Sequence, residues 1–189
     1  GHGGAVYGFS TQLEAIPERH IGVAAASALD GSNGVVSRLA NYALRLMIAV
    51  HDDLPLPDYR RTGPVPSERA NELIGRYREV DGERLTRITE FNGDLFMHRG
   101  SFRFDLRAAV DDGTIVTDDP VGFGTVVSLQ DEDVLQVGDA RFQRLPDEPP
   151  AAAPDRFRGL IGEYGWDHNT LYILEEDGQL YALIEWFYY

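Results

Sequence analysis

The chain of 189 residues contains no cysteine and no lysine. Without cysteine there is no disulfide, no zinc–thiolate site and no thiol nucleophile. Without lysine all 17 basic residues are arginines, so no lysine amine of this chain can activate a serine hydroxyl. Basic charge is also outweighed: 31 acidic residues leave a net charge of −14, which repels a phosphate backbone and argues against nucleic acid as a partner. Long hydrophobic runs are missing as well. No apolar stretch approaches the roughly 20 residues of a membrane span, and the most apolar helical segment is broken by Arg38, Asn41 and Arg45. What remains, 43% hydrophobic and 25% charged, is the composition of a globular chain of one or two domains.

The first fifty residues carry the clearest pattern. The chain opens on His2-Gly3-Gly4, and two strand-like runs follow at residues 9–16 and 21–29. The Pro17-Glu18-Arg19-His20 break between those runs predicts an antiparallel hairpin. From Asn33 the apolar period changes to 3.6. Val36, Leu39, Ala40, Ala43, Met47 and Val50 share one stripe, with Arg38, Asn41 and Arg45 off it, which predicts an amphipathic helix with Ser32 or Asn33 as N-cap.

This order of a His-Gly-Gly strand, a hairpin with a Pro-Glu turn and a closing helix resembles the end of the catalytic domain of β-lactamase-related serine hydrolases. That family includes class C β-lactamases, penicillin-binding DD-peptidases, D-aminopeptidases and esterases. The resemblance rests on residues 1–9, 16–23 and 33–50. It implies that His2-Gly3-Gly4 stands at the family's third motif, Lys or His followed by any residue and Gly, on the strand lining the active site. His2 would bind or orient substrate. Gly4 would let an acyl group lie close to the strand, and the Ala5 backbone N–H would be an oxyanion-hole donor. Gly3 and Tyr7 would contact the ligand. The family's nucleophile is a Ser followed three residues later by an activating Lys. A chain without lysine cannot carry that motif, so nucleophile and base are expected upstream, in the preceding part of the same protein. Histidine at the third motif tilts the substrate toward esters or peptides rather than lactams.

Residues 52–66 hold four prolines and read as a semi-rigid linker closing a first segment at residue 51. From residue 67 to 146 the pattern is β. Eight short runs, at 75–80, 85–91, 95–99, 102–109, 114–117, 122–129, 134–137 and 141–145, are separated by Asp-Gly and Asn-Gly turn signals. In the fourth, Phe102, Phe104 and Leu106 alternate with Arg103, Asp105 and Arg107, the period of a strand wet on one side. Eight antiparallel strands on tight turns predict an up-and-down barrel, and the segment resembles the lipocalin-like domains that follow the catalytic domain in some of the same hydrolases. A second linker, 147–156, precedes a partial repeat over 157–189. There Leu73-Ile74-Gly75-Arg76-Tyr77 recurs as Leu160-Ile161-Gly162-Glu163-Tyr164, and Asn92-Gly93-Asp94-Leu95 recurs as Asp177-Gly178-Gln179-Leu180. The expected fold class is therefore α+β: antiparallel strands with a closing helix, then a lipocalin-like barrel and a truncated second copy.

Other candidates have plainer readings. His98 and His168 lack partners at metal-ligand spacing and read as surface or barrel residues. Asp111-Asp112, Asp118-Asp119 and Asp131-Glu132-Asp133 lack the alternation of a calcium loop and read as solvated turns. Asp167-His168 beside Trp166 resembles part of a charge relay with no serine near. Tyr77, Phe91, Phe96, Phe102, Phe104, Phe123 and Phe142 read as barrel core, or alternatively as the lining of a ligand cavity. No metal or cofactor is called for. The expected partner is a small-molecule or peptide substrate, and the chain by itself is expected to be catalytically inactive. The competing expectation is a lipocalin-like binding or interaction module without catalysis.

Overall fold

A computed structural model of the chain describes residues 1–29, 31–100, 102–131, 133–147, 152–165, 170–176 and 178–184. Every strand register given by the described residues is antiparallel, and the contacts divide the chain into two compact units, Gly1–Pro66 with Phe104–Val127 and Ser67–Arg103 with Ser128–Tyr189.

In the first unit, β1 (His2–Val6), β2 (Phe9–Ile16) and β3 (Ile21–Ser27) form a three-stranded sheet in sequence order. The Pro17–Arg19 break is one turn of 3-10 helix ended by His20 in the left-handed conformation, φ 54°. Helix α1 (Asn33–His51) packs on one face of this sheet. The helix forms where the periodicity put it, but its burial is not the predicted stripe. Gly34, Val36, Ala40 and Ala49 are buried, whereas Leu39, Met47 and Val50 are exposed. Small residues let the helix approach closely along one line, and a second side of it is taken by the proline-rich segment folding back. Tyr42 donates to the Pro57 carbonyl at 3.1 Å, and the Leu54 N–H donates to the Ala49 carbonyl at 2.8 Å. The larger apolar side chains are left outside. Within the predicted linker, β4 (Thr62–Gly63) pairs with β8 (Phe102–Ala109), Thr62 opposite Ala109. The segment is bonded along its length rather than hanging between elements.

Helix α2 (Ser67–Leu73) leads into the barrel strands β5 (Gly75–Glu79), β6 (Leu85–Phe91), β7 (Asp94–Arg99), β8, β9 (Ile115–Asp118), β10 (Phe123–Asp131), β11 (Val134–Val137) and β12 (Ala140–Arg144). The sheet order β4-β8-β7-β6-β5-β12-β11-β10-β9, with β9 also paired to β8, makes β5 to β12 a closed eight-stranded barrel. All eight predicted runs are strands. Tyr77, Ile88, Met97, Leu135 and Phe142 are fully buried within the second unit, and Leu106, Ile115, Val116 and Val127 within the first.

The aromatic assignment needs correction. Tyr77 and Phe142 are core, but Phe91 and Phe102 are exposed and Phe96, Phe104 and Phe123 are half-buried. On β7 the inward positions belong to Leu95 and Met97, so the alternation turns Phe96 outward. On β8 burial deepens from Phe102 through Phe104 to Leu106, so the ring positions fall at the exposed start of the strand.

β13 (Gly162–Tyr164), β14 (Leu171–Glu176) and β15 (Gln179–Ile184) form a separate three-stranded sheet. It copies the opening of the barrel down to its hydrogen bonds. Tyr77 donates to the Leu73 carbonyl at 2.7 Å and Tyr164 to the Leu160 carbonyl at 2.7 Å. Gly75 and Gly162 have φ of 156° and 155°, and the N–H groups of Gly93 and Gly178 donate to Glu90 and Glu175.

Candidate functional site

β1 is an edge strand. His2, Gly3, Gly4 and Ala5 lie opposite Leu13, Gln12, Thr11 and Ser10 of β2, and the other edge of β1 has no strand partner among the described residues. Side chains alternate across a strand, so His2, Gly4 and Val6 share one face and Gly3 and Ala5 the other. The second face is the one α1 covers, because Ser10, opposite Ala5, is buried and bonded to the start of the helix. The first face is open: Val6 is 69%, Phe9 54% and Leu13 53% exposed. His2 is exposed on β1, and Tyr7 stands in the exposed β1–β2 turn. Neither Gly3 nor Gly4 has a positive φ. A Cβ on Gly3 would meet the Gln12 Oε1 and one on Gly4 the Thr11 Oγ1, side-chain ends rather than backbone. Chain conformation therefore does not demand these two glycines, and what they do locally is leave a strip of backbone bare.

Beneath β1 sits a polar knot. Ser10 Oγ donates to Asn33 Oδ1 and to the Leu29 carbonyl, both at 3.3 Å, and accepts from the Ser32 N–H at 3.1 Å. Asn33 Nδ2 donates to the Gly4 carbonyl at 3.3 Å, tying helix and strand. Ser32 is at the N-cap position, yet its hydroxyl donates to the Leu29 carbonyl at 2.7 Å and caps nothing. The first-turn donor Gly34 N–H instead meets the Pro120 carbonyl of the β9–β10 turn at 2.8 Å. That turn is shaped by Asp119, whose carboxylate accepts from the Val121 N–H at 2.8 Å and the Gly122 N–H at 3.0 Å. The second oxygen of Asp119 is buried with no hydrogen-bond partner. Burial pushes the Asp119 carboxyl above the usual carboxylate range, and the charge of Asp105 adds to the effect.

One side of α1, the folded-back proline-rich segment and this turn line an open cavity of about 460 Å³ within the first unit. Arg38 stands at its wall with its guanidinium 3.7 Å from the centroid of Phe123 and 4.7 Å from that of Tyr59. It donates to Asp118 at 2.9 Å and to the Arg60 carbonyl, while Thr62 donates to the same carboxylate. Arg38 and Asp118 are each only 17% exposed by side chain, so this is a partly desolvated pair, held further by the Arg60 carbonyl and the Thr62 hydroxyl. Arg60 in turn reaches Asp112 at 3.1 Å. In the sequence Arg38, Asn41 and Arg45 stand out only as residues off the apolar stripe. Their spacing of three and four with a second polar line had marked a helix face that needs its own partners.

The remaining sequence candidates are scattered. The acidic pairs read as solvated turns are arginine partners: Asp111 and Asp112 of Arg60, Asp118 of Arg38, Asp133 of Arg144. With no lysine, arginine carries these ion pairs, the pairs of Glu14 with the N-terminus and of Asp52 with His51 being of other kinds. His98 is half-buried on β7, its Nε2 2.9 Å from Thr89 Oγ1, and burial followed by the charges of Arg87 and Arg103 pushes its pKa down. Trp166, Asp167, His168 and the aromatic run Trp186–Tyr189 lie outside the described residues. Among the described residues no three His, Asp or Glu side chains converge as a metal site would require, and no helix is long and apolar enough to cross a membrane. No protein-family model matches the chain, and no curated protein matches it.

Proposed function

We propose that this chain is the rear part of a serine hydrolase of the β-lactamase-related kind, with β1 lining the active site. The observation that carries the reading is the bare edge of β1, where Gly3 and Gly4 serve no conformational need and His2 is exposed beside them. An extended substrate can lie along such an edge and satisfy its backbone groups, as peptides do when they extend a sheet. A serine hydroxyl supplied from outside these residues attacks the carbonyl of an amide, lactam or ester. Charge then develops on the carbonyl oxygen, and the Ala5 N–H is one of the donors placed to receive it. His2 orients the bound substrate, and Tyr7 in the adjoining turn borders it. The absence of lysine supports placing nucleophile and base outside the chain. The open apolar face of Val6, Phe9 and Leu13 supports a further layer packing there, since soluble domains rarely leave such a face uncovered.

The competing reading, a lipocalin-like binding module, draws less support, because the inward positions of the barrel are filled by Tyr77, Phe142, Ile88, Met97 and Leu135, all fully buried. The test is to express the chain together with its preceding segment and treat it with a fluorophosphonate or a labelled penicillin. Labelling of the longer protein, weaker in His2→Ala and absent from the 189 residues alone, is the expected result. No labelling of any of the three would overturn the hydrolase reading.

A further inference from the structure

We infer that the cavity beside α1 is a binding site for a small organic carboxylate with a planar apolar body, independent of the hydrolase reading. Its volume of about 460 Å³ falls in the range of small-molecule sites. Its wall is charged unevenly: three guanidinium groups, Arg38, Arg45 and Arg60, face a single carboxylate, Asp58. Two of the three are already neutralised, Arg38 by Asp118 and Arg60 by Asp112. Arg45 makes no hydrogen bond or ion pair with any described residue, and it is the group left to receive an anion. A second donor points the same way, since the buried Arg60 Nε has no hydrogen-bond partner and its nearest carboxylate, on Asp111, is 3.8 Å off.

The rest of the wall suits a carboxylate better than a bare inorganic anion. Tyr42 and Tyr59 meet edge to face, ring centroids 5.0 Å apart, and the Tyr59 ring is part of the lining. Asn41 adds an amide beside Arg45 on the same side of the helix, four residues apart. A guanidinium pairs with a carboxylate through two parallel N–H donors, and an aromatic ring accepts a planar body. Asp58 penalises an anion carrying more than one charge, which disfavours phosphate.

Benzoate titrated into the chain, followed by backbone amide shifts and by calorimetry, tests this. Saturable binding is expected, with shifts concentrated at residues 41–45 and 58–60. The neutral isostere benzamide should bind at least tenfold more weakly. Arg45→Gln should also weaken benzoate roughly tenfold, about 1.4 kcal/mol, without changing the thermal midpoint, because Arg45 supports no other contact. Ser37→Trp, which places a large ring into the cavity from an exposed helix position, should abolish binding. Absent benzoate binding, equal binding of benzamide, tighter binding of inorganic phosphate, or affinity unchanged by both substitutions would each overturn the assignment.

Discussion

Gly34→Ala should destabilise the protein, against the usual sign for this substitution in a helix. In an exposed helix interior Gly→Ala stabilises by about 0.5–1 kcal/mol, through lower backbone entropy in the unfolded chain. At position 34 the added Cβ would stand 2.6 Å from the Gly122 nitrogen, 2.8 Å from the Val121 carbonyl carbon and 2.9 Å from the Gly122 Cα. All three are backbone atoms, so no side chain can rotate away. The β9–β10 turn has to retreat, and retreat pulls the Pro120 carbonyl off the Gly34 N–H, now 2.8 Å apart. Forcing one extra carbon into a packed contact costs about 1–3 kcal/mol, and the hydrogen bond a further 0.5–1.5 kcal/mol or so. Subtracting the propensity gain leaves a net loss of roughly 2 kcal/mol. For a chain of this size that lowers the melting temperature by about 4–8 °C. Urea denaturation followed by far-ultraviolet circular dichroism measures it, with Ser37→Ala on an exposed position of the same helix as control. A Gly34→Ala protein as stable as the control, or more so, would refute the close contact between helix start and turn.

Three further outcomes follow from the same geometry. Arg38→Ala leaves Asp118 partly buried with only Thr62 as a described partner, and loss of one member of a buried pair costs about 3–5 kcal/mol. Since both groups keep some exposure, the lower end or less is expected by urea denaturation, and Asp118→Ala in the Arg38→Ala background should add little. Tyr77→Phe removes a fully buried hydrogen bond to the Leu73 carbonyl and should cost about 1 kcal/mol, whereas Tyr164→Phe, in the exposed copy, should cost clearly less. Asp119 has a raised pKa when folded, so the folded chain holds its proton longer than the unfolded one. Its contribution is neutral below the unfolded value of 3.8 and turns against folding as pH rises through and above that value. Urea midpoints from pH 3 to 7 should therefore show Asp119→Asn gaining on the wild type as pH rises, and a constant difference across that range would contradict the buried, unpartnered oxygen.

The fold was legible wherever a side chain's burial follows from its neighbours in sequence. The eight barrel runs read correctly because Asp-Gly and Asn-Gly pairs fix the turns locally; Asn92 and Gly93 take positive φ of 54° and 88°, as such a turn requires. Helix α1 read correctly in extent but not in face. Its burial is set by the approach of small residues to the sheet and by a proline-rich segment returning along its other side, and neither is a property of the helix's own period. The same limit hid β4, whose two residues pair with Ala108 and Ala109 more than forty positions away.

The cavity escaped the sequence reading for a related reason. Arg38 and Arg45 sit seven residues apart on one helix and look alike in sequence, yet one is clamped between Phe123 and Tyr59 against Asp118 while the other has no partner among the described residues. That difference arises from where residues 58–60 and 121–123 come to rest, which only tertiary structure decides. The His2-Gly3-Gly4 strand is the opposite case. Its three residues are adjacent, its exposure needs only the end position in a sheet, and its glycines are conspicuous because no positive φ requires them. Arg45 on the cavity wall and His2 on the strand edge can therefore be tested separately. Ligand shifts at residues 41–45 report on the first and acyl labelling on the second, and failure of either leaves the argument for the other standing.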